Sequence, residues 1–177
     1  MAKPLESHWI AAKRVLRYLK GTVNFGIMYT DNCDVELTGY SDSDWAGNLD
    51  DRKSTLGYAF NIGTRVVSWS SKKHPTVSLS STEAEYKALC NATSEVVWLR
   101  KILEDIDHKQ MKPTILKCDN QSSIKLAYNP IYHARTKHIE IQCHFVREKI
   151  QKKEIVLTYC NTTENVALYQ ASWKDEF

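Results

Sequence analysis

Three acidic residues stand in three different local settings, and their chemistry is that of metal ligands. Asp42 and Asp119 lie where apolar, strand-like runs break into polar residues, and Glu85 opens a long amphipathic pattern typical of a helix. Carboxylates gathered from separate elements repel one another unless a cation joins them, and Mg²⁺ or Mn²⁺ is the hard ion that oxygen ligands select. The pattern therefore indicates metal-assisted phosphate chemistry.

A second glutamate, Glu83, competes with Glu85 for the same role. Glu85 shares a helix face with Leu89 and Val96, so its side chain should point towards the core. Glu83 instead lies four residues before Lys87, a spacing that favours a helix cap or a surface ion pair. We therefore predict Glu85, rather than Glu83, as the metal ligand.

The elements that must position these acids follow from the hydrophobic periodicity. It predicts strands over residues 25–29, 35–42, 56–62, 65–70, 114–118 and 155–159, and helices over 7–20, 82–106, 121–128 and 136–150. Ser7 and Thr136 are the predicted caps of the first and last helices, and the helix that carries Glu85 starts between Ser80 and Glu83, where two capping boxes fit. In the first helix four apolar residues are expected to face inward: Ile10, Val15, Leu16 and Leu19.

This order of elements predicts the fold class. Hairpin-linked strands followed by helix-strand crossovers indicate an α/β fold, in which a mixed sheet carries helices on its faces. Asp42 lies on an early strand that should be central, and Asp119 ends a strand that should pair beside it. The two carboxylates are therefore expected at one edge of the sheet, with Glu85 reaching the same point.

Composition excludes several classes of protein. The 177 residues, 42% of them hydrophobic, can bury one core, and no apolar stretch is long enough to span a bilayer, so we expect one soluble domain with an appendage and no membrane partner. Five scattered cysteines without a CxxC pair argue against a disulfide framework and a ribbon-type zinc site, and indicate a reducing compartment. The formal charge of +3 is only a weak indication of a polyanionic partner.

Several motifs, in this order along the chain, resemble one known family. They are GYSDSDWAG (39–47), DRKSTLGY (51–58), VSWSSKK (67–73), SSTEAEY (80–86), CDNQS (118–122) and RTKHI (135–139). Together they resemble the ribonuclease H domain of copia-type LTR retrotransposon Pol polyproteins, while residues 8–22 are similar to the end of the preceding reverse transcriptase region. The resemblance implies that residues 1–24 are the tail of the reverse transcriptase or connection region. Residues 25–177 would then form a ribonuclease H-like domain with a mixed five-stranded sheet, three antiparallel strands before the parallel ones, and helices on both faces.

The resemblance also implies an activity. It is the hydrolysis of the RNA strand of RNA·DNA hybrids with two divalent ions, Mg²⁺ or Mn²⁺, in which Asp42, Glu85 and Asp119 are the catalytic residues and metal ligands. The implied partners are the RNA·DNA hybrid and the reverse transcriptase domain of the same polyprotein. The implied location is intracellular, either cytoplasmic within a virus-like particle or nuclear.

The residues proposed to contact the substrate could instead have purely structural roles. The residues that would line the minor groove of the hybrid are Ser81, Thr82, Asn120 and Gln121. Of these, the first three also stand at predicted helix starts, where capping alone explains their type. Lys72 and Lys73 could hold phosphates of the hybrid, or simply form a solvated turn.

At one position the chain departs from the family pattern. The family has a fourth acid, an aspartate, after a sequence like the run 164–167, and here the next residue is Leu168. Either the aspartate was substituted or a short deletion shifted the residues that follow. Because leucine offers no lone pair to a cation, we expect weaker metal binding and slower turnover. The alternative function is that of a degenerate or domesticated domain, which binds nucleic acid or protein without efficient cleavage.

Overall fold

Five strands and four α-helices make up the described part of the fold. The computed structural model describes residues 3–29, 35–47, 50–129 and 140–168, with side chains in the last range from His144 onwards. The strands are β1 (Leu37–Asp44), β2 (Thr55–Ile62), β3 (Arg65–Lys73), β4 (Thr114–Cys118) and β5 (Ile155–Tyr159). The helices are α1 (Glu6–Gly21), α2 (Ser81–Asp105), α3 (Gln121–Tyr128) and α4 (Glu140–Gln151), and a 3₁₀ turn (Thr162–Glu164) follows β5.

The strands form one mixed sheet in the order β3-β2-β1-β4-β5. The β1–β2 and β2–β3 pairs are antiparallel, whereas β4 runs parallel to both β1 and β5. A parallel neighbour of β1 requires a crossover, which α2 supplies between β3 and β4. The predicted α/β class and the five-stranded mixed sheet are confirmed.

One hydrophobic core lies between the sheet and the helices. Fully buried residues of α2, among them Tyr86 and Leu89, pack in one cluster with Phe60 and Leu116 of the sheet. Gly39 in β1 permits this packing, because a Cβ atom there would lie 2.3 Å from the ring of Phe60. The described helices α2, α3 and α4 contact one another and contribute to this core.

The first helix does not pack as the sequence predicted. None of its residues is buried, and the four apolar side chains expected to face inward are 40% to 62% exposed: Ile10, Val15, Leu16 and Leu19. The N-cap is Leu5, whose backbone N–H donates to His8 Nδ1, so the predicted cap at Ser7 is wrong. The periodicity predicted the helix correctly. An apolar stripe on a helix becomes buried only when another element packs against it.

The predicted strand over residues 25–29 is also absent, although these residues are described. The segment is irregular and lies beside β3 through isolated contacts. The Tyr29 hydroxyl donates to the Val66 carbonyl (2.6 Å), and Arg65 Nε donates to the Met28 carbonyl (2.5 Å). Strand propensity alone does not form a strand without a ladder partner.

Most other element bounds lie within three residues of the prediction. β1 extends to Asp44 and β3 to Lys73, both past the predicted ends. The predicted cap Thr136 and the motif RTKHI lie outside the described residues. Nowhere in the described ranges does a helix combine the length and the apolar composition needed to cross a membrane.

Candidate active site

The three predicted acidic ligands come from three neighbouring elements. Asp42 lies in the central strand β1 and is 3% exposed, and Asp119 directly follows β4. Because Ser41 pairs with Cys118 in the parallel β1–β4 register, Asp42 and Asp119 follow adjacent strand positions. Glu85, 7% exposed, lies in the second turn of α2, which packs against β1.

Glu85 is held in place by Ser43, two residues after Asp42. Its Oε1 atom accepts hydrogen bonds from the Ser43 backbone N–H (3.2 Å) and the Ser43 hydroxyl (2.9 Å). These two bonds fix the carboxylate of α2 to the end of β1. The sequence motif contained Ser43 but gave no indication of this role.

Burial and mutual repulsion raise the proton affinity of the site. Burial, followed by the charge of Asp119, raises the pKa of Asp42 to about 7. Burial, followed by the charges of Asp42 and Asp119, raises the pKa of Glu85 to about 8. Burial is the larger cause of both shifts and repulsion between the carboxylates the smaller one, and both causes disfavour full ionisation of Asp42 and Glu85.

The donor set fits a hard divalent cation. Asp42 Oδ2 is buried and has no hydrogen-bond partner among the described residues, which is costly for a carboxylate that nothing compensates. One oxygen of Glu85, one oxygen of Asp119 and the sulfur of Cys118 all lie within 4.8 Å of one another. A cation held by Glu85 and Asp119 would offset the repulsion between these carboxylates. Asp42 is not part of this close group, although its charge contributes to the raised pKa of Glu85.

Cys118 is a neighbour of the site that the sequence analysis did not assign. Its Sγ lies 4.0 Å from Glu85 Oε2. Burial, with the Glu85 charge as a smaller cause, raises the pKa of this thiol to about 12. The sulfur therefore stays protonated at neutral pH, and the carboxylate oxygens are the better ligands for Mg²⁺.

The segment after β5 supplies two further contacts. The Thr162 hydroxyl donates to Asp119 Oδ2 (2.7 Å). Asn165 is 1% exposed, and its Nδ2 donates to the Ser41 carbonyl (3.0 Å) next to Asp42. Both contacts join residues more than 40 positions apart, so no local pattern in the sequence could reveal them.

Glu83 serves the start of α2. The N-cap is Ser80, whose Oγ accepts from the Glu83 N–H (3.1 Å), so the start that the sequence left open is fixed at Ser81. Glu83 Oε2 accepts from the Leu79 N–H (2.8 Å), as the capping alternative predicts. The ion pair with Lys87 (2.8 Å) also forms, but both side chains are buried, so the prediction of a surface pair is wrong.

Of the four substrate-binding residues predicted at the helix starts, two are exposed and two form hydrogen bonds within the protein. Ser81 and Gln121 are exposed at the starts of α2 and α3. Thr82 is half-buried, and its carbonyl accepts from the Ser123 hydroxyl (3.1 Å). Asn120 is the N-cap of α3, since its Oδ1 accepts from the Ser123 N–H (3.0 Å), so the capping alternative holds for this oxygen.

The two lysines at the end of β3 differ in their contacts. Both are exposed. Lys73 Nζ forms an ion pair with Asp51 Oδ2 (2.7 Å), and this carboxylate partly neutralises the lysine charge. Trp45, which directly follows β1, is 49% exposed, and its Nε1 donates to the Ser78 carbonyl (3.1 Å).

Comparison with known proteins identifies the family. No family model matches the chain. Over 167 residues, 94% of its length, the chain is 41% identical to the retrovirus-related Pol polyprotein from transposon RE2 of Arabidopsis thaliana. The chain belongs to the copia-type Pol polyprotein family. It spans only 12% of the length of that Pol polyprotein.

Solved structures of other proteins share the fold described above. An RNase H1 from compost, LC11, solved in complex with an RNA/DNA hybrid, aligns with 74% of this chain and 89% of its own, with a TM-score of 0.54 and 11% identity. A foamy viral protease-reverse transcriptase in complex with an RNA/DNA hybrid aligns with 97% of this chain and 26% of its own, with a TM-score of 0.52 and 12% identity. At these identities the likeness shows the ribonuclease H-like fold of this Pol-family chain.

Leu168 lies in a turn that is anchored beside the acids. Its N–H donates to the Asn165 carbonyl (3.0 Å), and the Ala167 N–H donates to Asn165 Oδ1 (3.2 Å). Asn165 in turn bonds to β1 at Ser41, so the segment keeps a fixed position up to residue 168. A hydrocarbon side chain therefore stands in the turn where the resemblance to the family implies an aspartate.

Proposed function

We propose that this Pol-family domain is a divalent-metal-dependent endonuclease that hydrolyses the RNA strand of RNA·DNA hybrids during reverse transcription. The observation that carries the proposal is that carboxylate oxygens of Glu85 and Asp119 lie within 4.8 Å of each other, and that a buried Asp42 oxygen at the adjacent strand end lacks a partner among the described residues. Structural likeness to an RNase H1 solved with a hybrid supports the substrate class.

The three carboxylates would hold two Mg²⁺ or Mn²⁺ ions. When bound, such ions activate water as a nucleophile and offset the negative charge that builds on the phosphate. Ser43 orients Glu85 with two hydrogen bonds, and Thr162 orients Asp119 with one. The protein therefore contributes positioned ligands and needs no nucleophile of its own.

The hybrid would lie across the starts of α2 and α3. Ser81 and Gln121 are exposed there, beside Thr82 and Asn120, and we propose that this group reads the 2′ hydroxyls of the RNA strand. Lys72 and Lys73, exposed at the end of β3, would contact phosphates and make binding depend on salt.

The natural partner in this proposal is the reverse transcriptase domain of the same polyprotein. The foamy viral reverse transcriptase aligns with 97% of this chain, which extends the likeness to the N-terminal region. Residues 1–24 would be the tail of that neighbouring domain, in keeping with an α1 that buries none of its residues. The protein would act inside the cell, in a virus-like particle or the nucleus.

A cleavage assay tests the proposal. We expect the protein to cut the RNA strand of a labelled RNA·DNA hybrid in Mg²⁺ or Mn²⁺, leaving 5′ phosphate ends. Asp119→Asn, which keeps the side-chain size and removes the charge, should lower the rate at least about a hundredfold. Equal cleavage by Asp119→Asn would assign the activity to a contaminant.

Leu168 favours a second candidate, a domain that binds the hybrid without efficient cleavage. The same experiment separates the two when hybrid affinity is measured by fluorescence anisotropy beside the rate. Tight binding by the wild type, with a rate no higher than that of Asp119→Asn, would support the non-cleaving domain.

A further inference from the structure

A buried ion pair lies at the start of α2, with one partner two residues before Glu85 and the other two residues after it. Glu83 Oε1 and Lys87 Nζ lie 2.8 Å apart, and the two residues are only 5% and 6% exposed. Removing two charges from water is costly, and a hydrophobic pair of similar volume is often at least as stable. Stability alone therefore does not explain this pair.

The pair binds the loop that leads into α2. Lys87 Nζ lies within hydrogen-bonding distance of Ser78 Oγ (3.2 Å) and Thr76 Oγ1 (3.4 Å). Glu83 Oε2 accepts from the Leu79 N–H (2.8 Å). The two charged side chains thus hold three of four consecutive loop residues.

The same loop is held from the opposite side by Trp45. Its Nε1 donates to the Ser78 carbonyl (3.1 Å), and Trp45 directly follows β1, the strand that carries Asp42. Loop 74–80 joins the end of β3 at Lys73 to the start of α2 at Ser81. It therefore connects the two groups of residues proposed to contact the hybrid.

The pair is separated from the metal ligand. Glu85 lies two residues from each partner, and residues two apart on a helix do not face each other. The Glu85 carboxylate is held instead by Ser43. A change in the pair should therefore alter the loop without moving the ligand.

We infer that Glu83 and Lys87 are positioning residues, an inference that rests on the proposed function. They hold loop 74–80 in the conformation that presents Ser81 and Thr82 to the hybrid. The pair acts on substrate binding. It contributes neither a metal ligand nor a group that touches the reacting phosphate.

The test is the double variant Glu83→Leu with Lys87→Met, which removes both charges and leaves no unpaired charge buried. We expect KM for the hybrid to rise about tenfold, since small misplacements of substrate-positioning groups have large effects. We expect kcat and Mn²⁺ affinity to stay within twofold of wild type. Hydrogen exchange at the amides of residues 76–80 should become faster.

A matched control exists at the end of α4. Glu148 and Lys152 form an ion pair at the same spacing, but both are about half exposed (51% and 56%). The same two substitutions there, Glu148→Leu with Lys152→Met, should leave KM, kcat and loop exchange unchanged.

Two outcomes overturn the inference. One is a folded double variant at positions 83 and 87 with the KM of wild type. If that variant does not fold, Trp45→Phe removes the other loop anchor, and an unchanged KM in this variant overturns the inference equally. A wild type that shows no affinity for the hybrid contradicts the proposed function as well, whereas an active wild type with an unaffected variant contradicts only the positioning role.

Discussion

At the residue scale, the buried carboxylates should make stability depend on pH. The pKa of Asp42 (about 7) and that of Glu85 (about 8) lie above the ordinary values of 3.8 and 4.5. Between the unfolded and folded pKa values the folded protein binds more protons than the unfolded chain, so the free energy of unfolding falls as pH rises. The contribution of these two groups to stability is therefore fully present below about pH 4 and is lost as pH rises through 7 and 8. Calorimetry without divalent ions should therefore show a falling melting temperature between pH 5 and pH 8.

Two comparisons isolate this effect from other titrating groups. Asp42→Asn removes one carboxylate, and we expect its melting temperature to fall less over the same pH range. Mg²⁺ should raise the melting temperature of the wild type more at pH 8 than at pH 5, because ligands must be deprotonated to bind. A wild type that falls no more steeply than Asp42→Asn would show that the two carboxyl groups are not buried together.

Leu168 is the residue at which the site can be improved. Leu168→Asp adds a carboxylate in the turn that Asn165 anchors to β1, so we expect tighter Mn²⁺ binding and a severalfold faster cleavage of the hybrid. Leu168→Asn, of the same size but uncharged, is the control and should give a smaller gain. An unchanged rate in Leu168→Asp would show that this position does not supply a ligand in this chain.

At the scale of elements, α1 should be dispensable for the stability of the sheet domain. None of its residues is buried, and Met28 and Tyr29, which lie beyond it, supply the hydrogen bonds between the following segment and β3. Deleting residues 1–24 should therefore change the melting temperature of the remaining domain by no more than about 2 °C. Loss of a cooperative unfolding transition in the deletion variant would contradict this independence.

The elements also show where periodicity is informative. α2 was predicted to within one residue at each end, because its apolar stripe, its cap and its length agree. The segment 25–29 and the inward face of α1 were predicted wrongly, because burial depends on a partner surface that the local sequence does not encode. The same limit explains why Glu83 and Lys87 appeared as a surface pair.

At the scale of the whole molecule, the site arises where β1, β4 and α2 meet. The sequence predicted the three acids, since each stands at a recognisable break in a pattern. It could not predict Ser43, Thr162 and Asn165 as their supports, because the contacts that define these roles exist only after the sheet has formed. Residue type thus predicts candidate ligands, while the fold determines which residues orient them.

The central claim is that Asp42, Glu85 and Asp119 together hold divalent ions. A titration of Mn²⁺ into the protein at pH 8, followed by the electron paramagnetic resonance signal of free Mn²⁺, tests it most directly. We predict saturable binding by the wild type that falls at least about tenfold in affinity in Asp42→Asn, with the fold retained. Equal Mn²⁺ binding by the two proteins would contradict the account.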